Sequence, residues 1–188
     1  YDDVMNQQRE VIYEQRRKAL LENNLQPVVM EMVEDLTYDI VDEFVVDKAP
    51  VKQWDLQGLE SRIKKVFNYG PDFKTAVDEN YTAQQLSETL FDTLKQIYQQ
   101  KEESIGSEIT RQIEKHIILQ TVDTRWKEHL LSMDHLKEGI GLRGYAQQDP
   151  LRIYRKEGFD MFQGLMERVK EEVVDILLGK FLDRSTLF

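Results

Sequence analysis

The chain has 188 residues with 25 basic and 35 acidic side chains, so its formal net charge is −10, and it contains no polybasic run. This composition fits one or two domains and excludes a nucleic-acid binder that relies on clustered phosphate contacts. The absence of cysteine excludes disulfides, thiol catalysis and cysteine-based zinc or iron–sulfur sites, and no apolar run approaches the roughly 20 residues of a membrane span.

The negative charge is concentrated in the middle of the chain. Residues 1–22 and residues 104–188 each carry a net charge of −1, whereas residues 23–103 carry eight bases and sixteen acids, a net charge of −8. Because the chain begins at Tyr1 rather than at Met, we expect it to be a piece of a longer protein.

The first predicted elements are helices separated by prolines. Pro27, Pro50, Pro71 and Pro150 divide a sequence that is otherwise rich in strong helix formers, which favours an all-α fold. After Pro27, apolar residues recur at steps of three and four and predict a helix with one apolar face. These residues are Val29, Met32, Val33, Leu36, Ile40 and Phe44.

Two cap motifs predict the next helices. Asp55 is an expected N-cap for a helix over residues 56–67, with Trp54 and Leu59 placed as a hydrophobic staple. Thr82 and Gln85 predict a capping box. The apolar face of the helix that follows contains Leu86, Leu90, Leu94 and Ile97.

The last third of the chain begins with one long predicted helix. No proline interrupts the sequence from Ile105 to Lys137, and apolar residues keep helical spacing with one shift of register. The predicted apolar stripe consists of Ile109, Ile113, Ile117, Val122, Trp126, Leu130, Met133 and Leu136.

Three glycines are expected to end this helix. Gly139, Gly141 and Gly144 permit the left-handed backbone conformations in which a helix stops, and Asp149 and Pro150 then begin a second helix. The two apolar stripes can face each other in an antiparallel hairpin. The second stripe consists of Leu151, Tyr154, Phe162, Leu165, Val169, Val173, Ile176 and Leu177.

No active site emerges from these patterns. Residues 139–144 match the glycine pattern of dinucleotide-binding loops, but a helix precedes them where a strand is required, so we expect no bound cofactor there. His129 and His135 are six residues apart on different helix faces, which favours satisfied or solvent-facing histidines over a zinc site. We therefore nominate no catalytic or metal-binding residue.

The segment around the predicted hairpin loop differs in charge from the rest of the chain. Residues 137–157 carry a net charge of +2, and Tyr145 lies between the glycines and Pro150. A tyrosine in a basic loop is a common contact residue because it offers a large amphipathic surface at low entropic cost. The alternative is that Tyr145 only packs over its own loop.

Three sequence motifs resemble the C-terminal part of the SecA family, the ATP-driven motors of bacterial preprotein translocation. They are Tyr1-Asp2-Asp3-Val4-Met5-Asn6-Gln7-Gln8-Arg9, Asp123-Thr124-Arg125-Trp126-Lys127-Glu128-His129-Leu130, and Gly139-Ile140-Gly141-Leu142-Arg143-Gly144-Tyr145-Ala146-Gln147-Gln148-Asp149-Pro150 followed by Tyr154 and Glu157-Gly158-Phe159. The resemblance covers most of the chain.

The resemblance implies a helical scaffold interrupted by a small helical wing. Residues 1–22 would be the end of a long scaffold helix, residues 23–103 the wing, residues 104–178 a two-helix finger, and residues 179–188 a tail or linker. Trp126, Gly139, Gly141, Gly144 and Pro150 would be structural residues of the finger.

The resemblance also implies a role in protein transport. The finger would enter the mouth of the SecY channel of the SecYEG complex, where Tyr145, helped by Arg143 and Gln147, would contact the unfolded preprotein. Further implied partners are the signal peptide, the motor domains and a second copy in a homodimer, at the cytoplasmic face of the plasma membrane. ATP and magnesium would bind only in the missing motor domains, so we expect no ATP hydrolysis by this chain alone.

Two other interpretations remain open at this stage. One is a free-standing acidic α-helical interaction or adaptor module whose hairpin packs on a partner bundle. The other is a metal hydrolase that uses His129 and His135.

Overall fold

The protein is all-α throughout residues 1–143 and 148–180, the part of the chain that this computed structural model describes, as the sequence predicts. Within these ranges no β-strand is present. The helices, in chain order, are α1 (Asp2–Leu21), α2 (Gln26–Phe44), α3 (Leu56–Phe67), α4 (Phe73–Ala76), α5 (Ala83–Ile105), α6 (Ser107–Arg143) and α7 (Pro150–Val174), with a 3₁₀ turn at Val51–Gln53 and a π-helical segment at Asp175–Lys180.

The chain divides into two compact units. The first contains residues 1–23 and 115–170 and is called the α1–α6–α7 unit. The second contains residues 24–114 and, of the described residues, 171–180, and is called the α2–α5 unit. The division into scaffold, wing and finger at residues 22 and 103 stays a prediction.

The α2–α5 unit is built on α2, which packs against α5 and α3. The predicted stripes are buried at their centres: Val33 and Leu94 expose none of their surface, and Leu36 and Leu90 expose 4% and 3%. The π-helical segment packs against α3. Arg62 of α3 forms an ion pair with Glu171, with 3.0 Å between Nη1 and Oε1.

Both predicted helix caps are confirmed. The Asp55 carboxylate accepts a hydrogen bond from the backbone N–H of Gly58 at 2.9 Å. Thr82 and Gln85 form a complete capping box, in which each side chain accepts a hydrogen bond from the other residue's backbone N–H. These contacts satisfy N–H groups that the first helical turn leaves without an intrahelical partner.

Gly106 separates α5 from α6. Its φ of 104° lies in the region that residues with a Cβ rarely adopt, and its backbone N–H donates to the carbonyl of Glu102 at 2.7 Å. The long helix therefore begins at Ser107 rather than at the predicted Ile105.

The prediction that Gly139 and Gly141 end the long helix is wrong. Both lie inside α6, which continues to Arg143, and neither has a positive φ. A glycine in a helix costs about 1 kcal/mol relative to alanine, but Ile140, between the two, is 1% exposed, and burying such a side chain contributes about 1.5–3 kcal/mol. The burial of Ile140 offsets the poor helix propensity. Gly144 lies outside the described residues.

The predicted apolar stripe is also wrong at the start of α6. Ile109 is 52% exposed and Ile113 is only partly buried, whereas Thr110 and Glu114 are 1% and 0% exposed. This first part of α6 belongs to the α2–α5 unit, where its buried face meets polar groups of α5. Polar contacts, not hydrophobicity, select that face.

We expect Gly106→Ala to lower the free energy of unfolding by about 1–3 kcal/mol, because alanine is strained at this φ. Urea titration followed by circular dichroism measures the change. Gly70→Ala is the matched control: a Cβ there meets no atom within 4 Å, and we expect a change within about 0.5 kcal/mol. Equal losses in the two variants would contradict this account of the α5–α6 junction.

Candidate functional site

The predicted contact loop lies between the end of α6 at Arg143 and the start of α7 at Pro150. Tyr145, Gln147 and Gly144 lie outside the described residues, as does the side chain of Arg143, so their predicted roles stay predictions. Pro150 is the first residue of α7, as predicted, and Asp149 Oδ1 accepts a hydrogen bond from the backbone N–H of Leu151 at 3.1 Å.

An apolar cluster joins the ends of α6 and α7 that flank this loop. Met133 and Ile140 of α6 pack with Tyr154 of α7, each no more than 2% exposed. The partly buried residues around them are Val4, Met5, Leu136, Ile153 and Met161. The cluster holds α1 and the two long helices together through non-directional contacts.

Aromatic and cationic groups border this cluster. The Tyr1 ring meets the Tyr154 ring edge to face at a centroid distance of 4.7 Å, and Lys137 Nζ lies 5.0 Å from the centre of the Tyr1 ring. Burial raises the pKa of the Tyr154 phenol, so its hydroxyl stays protonated at neutral pH.

A buried polar group, which we call the Gln8 bridge, connects the three helices of this unit. Gln8 of α1 is 6% exposed, and its amide nitrogen donates to the carbonyl of Gly158 in α7 at 3.1 Å. Its amide oxygen lies 2.7 Å from Nε2 of His129 in α6. Because the amide nitrogen is the donor to Gly158, Nε2 of His129 carries the hydrogen that the amide oxygen accepts.

The surroundings of the bridge fix its geometry. His129 is 2% exposed, and its ring lies 5.6 Å from the Trp126 ring and 5.8 Å from the Phe162 ring, measured between centroids. A Cβ added at Gly158 would lie 2.8 Å from Cε at the flexible end of Met133, so this side chain would have to shift to accommodate a larger residue. Trp126, predicted as a structural residue, is 7% exposed.

His129 is held in the neutral form. Burial lowers its pKa, and the positive charge of Arg168 lowers it further. The hydrogen bond from the neutral imidazole to the uncharged Gln8 amide orients α6 relative to α1.

The two histidines considered for a metal site differ in environment. The His135 side chain is 68% exposed, and its Nδ1 lies 3.8 Å from the Glu138 carboxylate. His129, in contrast, is buried and hydrogen-bonded to Gln8. Within residues 1–143 and 148–180, no group of three or more His, Asp or Glu side chains is placed to hold a metal ion.

A second polar cluster, the Glu114 cluster, lies in the α2–α5 unit. The Tyr98 hydroxyl of α5 donates to Glu114 Oε2 in α6. Arg111 lies between two carboxylates, with Nη2 2.8 Å from Glu102 and Nε 2.7 Å from Glu114. The N–H groups of Arg111 do not point at these oxygens, so the pairing is by charge and not by aligned hydrogen bonds.

Burial dominates the proton affinities in this cluster. It raises the pKa of Glu114 despite the opposing effects of the Tyr98 hydrogen bond and the Arg111 charge, and it raises the pKa of Tyr98. Arg111 Nη1 also donates to the side chain of Asn24 at 2.9 Å. The cluster thus connects the start of α6 to α5 and to the residues before α2.

The positions of Gln8 and His129 in the sequence carry a signal for burial, although neither residue belongs to a motif that predicts their hydrogen bond. Gln8 follows Val4 and Met5 and precedes Ile12 on one helix face, and His129 lies between Trp126 and Met133 at steps of three and four. A polar residue within an apolar stripe indicates a buried hydrogen bond. Its partner, more than 100 residues away, could not be read from spacing.

Comparison with known proteins identifies the family. Residues 1–180 match the family described as the SecA wing and scaffold domain. The chain belongs to the SecA family. Three similar relatives, each named protein translocase subunit SecA, come from Desulforapulum autotrophicum (51% identical over 94% of this chain), Syntrophobacter fumaroxidans (46% over 98%) and Geotalea uraniireducens (43% over 93%).

The match covers only part of those SecA relatives. The chain spans 21%, 22% and 20% of their lengths, about a fifth in each case. Among the described residues, no helix is long and apolar enough to cross a membrane.

We expect Gln8→Leu to lower the free energy of unfolding by about 1–3 kcal/mol, because it leaves the buried His129 Nε2–H without an acceptor. Urea titration measures the loss. Gln7→Leu, the same change at an exposed position of α1, is the control and should change stability by less than about 0.5 kcal/mol. A Gln8→Leu variant as stable as the control would mean that the bridge contributes no net stability.

We also expect His129 to make the protein less stable in mild acid. The folded-state pKa of His129 lies below the unfolded value of 6.5, so its contribution to stability is complete above pH 6.5. This contribution is lost as the pH falls from 6.5 through the folded-state pKa, because between these two values the unfolded chain is protonated and the folded chain is not. Unfolding titrations of the wild type and of His129→Gln at pH 7.5 and at lower pH test this. The wild type should lose more stability than His129→Gln; parallel losses would contradict the assignment.

Proposed function

We propose that this chain is the force-transmitting, non-catalytic part of a SecA-type preprotein translocase, with α6 and α7 as its two-helix finger. The observation that carries the proposal is the family match over residues 1–180. We call residues 144–149 the tip loop. The structure adds support, because α6 is one uninterrupted helix of 37 residues, and Met133 and Ile140 in its last third are packed in a cluster with Tyr154 of α7 and residues of α1.

The tip loop is the proposed preprotein contact. Tyr145 would pack its ring on apolar segments of an unfolded chain and hydrogen-bond through its hydroxyl, which allows contact without selecting one sequence. Arg143 and Gln147 would add polar contacts beside it. Leu142, which is 82% exposed at the end of α6, adds apolar surface next to the loop.

The partners follow from this role. The finger would work at the cytoplasmic mouth of the SecY channel, on the inner face of the plasma membrane, with preprotein and its signal peptide as substrate. ATP and magnesium would bind to motor domains outside these 188 residues, and the finger would follow their nucleotide state. A homodimer is compatible with this role but is not required by it.

Site-specific photo-cross-linking in an intact translocase that carries this segment tests the contact. A photoreactive residue at position 145 should cross-link to preprotein or to the SecY channel during active translocation. The control position is Val46, which is 62% exposed in the proposed wing and should give neither product. Cross-links from position 145 to neither partner would reject the proposal and favour the free-standing adaptor interpretation.

We expect Tyr145→Ala in the intact translocase to reduce preprotein transport severalfold while the melting temperature changes by less than about 2 °C, because the proposal assigns Tyr145 a contact with preprotein and no role in the folded core. Transport assays and thermal unfolding measure the two effects. Tyr145→Phe, which keeps the ring, should retain most of the transport. Matched losses of transport and melting temperature in Tyr145→Ala would assign the residue a structural role.

A further inference from the structure

An apolar groove lies between the C-terminal half of α1 and the middle of α6, within the α1–α6–α7 unit. It is open to solvent along one side and has a volume of about 630 Å³. Its lining includes the buried side chains of Ile12 and Trp126, which are 2% and 7% exposed. We call it the α1–α6 groove.

The α1 side of the groove exposes large apolar side chains. Tyr13, Leu20 and Leu21 are 55%, 46% and 69% exposed and lie on one face of α1, since they are seven and eight residues apart. These three side chains place apolar surface along the open side of the groove.

The charges around the groove are positive, although the chain as a whole is acidic. Arg16 and Asp123 both line the groove and neutralise each other in an ion pair of 2.9 Å. Arg17 and Lys127 also line it, both are exposed, and neither forms an ion pair with any described residue. The uncompensated charge at the groove is therefore cationic, against a net charge of −10 for the chain.

We propose that the α1–α6 groove binds an acidic amphipathic helix of a partner protein. Leu or Phe side chains at helical spacing would enter the groove over Ile12 and Trp126, and Asp or Glu side chains beside them would pair with Arg17 and Lys127. The lining residues of α1, from Ile12 to Leu21, span about 14 Å at roughly 1.5 Å per residue, so the groove accommodates about three helical turns.

Charge argues against a second copy of this chain as the occupant. A two-fold symmetric contact through the groove would place Arg17 and Lys127 of one copy against the same residues of the other. Four positive side chains would then be brought together without compensation. Binding of a helix in the α1–α6 groove does not depend on whether the tip loop contacts preprotein.

Two synthetic peptides test the proposal. Both are helical 14-residue peptides with leucines at positions i, i+3, i+4 and i+7; one carries glutamates on the remaining face, and the other carries lysines. Fluorescence anisotropy at low and physiological salt measures their binding to the 188-residue chain and to a full-length translocase that carries it. We expect the glutamate peptide to bind at least tenfold tighter than the lysine peptide, a preference opposite to the one that the net charge alone would give.

Variants assign the binding to the groove. Arg17→Glu/Lys127→Glu should reverse the peptide preference, and Leu21→Ser should weaken both peptides. The matched control is Arg152→Glu/Lys156→Glu, which makes the same change in net charge at exposed positions of α7 outside the groove and should leave the preference unchanged.

Four outcomes would overturn the proposal. The first is that the lysine peptide binds as tightly as the glutamate peptide or more tightly, and the second is that Arg17→Glu/Lys127→Glu leaves the peptide preference unchanged. The third is that the full-length protein does not bind the glutamate peptide because another part of that chain covers the groove. The fourth is that this chain forms a dimer in sedimentation experiments and that Arg17→Glu/Lys127→Glu dissociates it.

Discussion

The α1–α6–α7 unit depends on the two hydrogen bonds of a single buried amide. Gln8 has a donor and an acceptor that both need partners once water is excluded, and it finds them on the two other helices, at Gly158 and His129. Apolar contacts tolerate sliding because they are non-directional, but moving either helix by one turn would leave a buried polar atom unsatisfied. The bridge therefore sets the register of α6 and α7 along α1, and with it the places where the two helices present their loop.

The α2–α5 unit uses charge for a similar purpose. Glu114 is fully buried, and the Tyr98 hydroxyl and the nearby guanidinium of Arg111 offset only part of the cost of removing its charge from water, because burial still raises the pKa of this carboxyl group. Such a group specifies one position for the start of α6, because an apolar neighbour could not replace these contacts. In both units, directional polar contacts position the long helices while apolar clusters supply most of the buried surface.

The proposed functions use the exposed surface that this arrangement leaves. Neither the role proposed for the tip loop nor the one proposed for the α1–α6 groove involves catalysis, and both sites would act by binding polypeptide. Sequence motifs were sufficient to identify the SecA family and to nominate Tyr145, because a family is recognised from local residue order. The groove could not be predicted in that way, since Arg17 and Lys127 are separated by 110 positions and line one groove only after α1 packs on α6.

The sequence by itself determined the all-α class, the order of the helices whose apolar periodicity it displays, and the caps at Asp55 and Thr82. Asp55 and Thr82 each act on a backbone group three residues away, so local spacing carries all the information that these caps require. Only the tertiary structure decided which faces of α6 are buried and where α6 ends. Ile109 is exposed and Glu114 is buried because the start of α6 meets polar groups of α5. The helix continues through Gly139 because the burial of Ile140 outweighs the poor helix propensity of glycine.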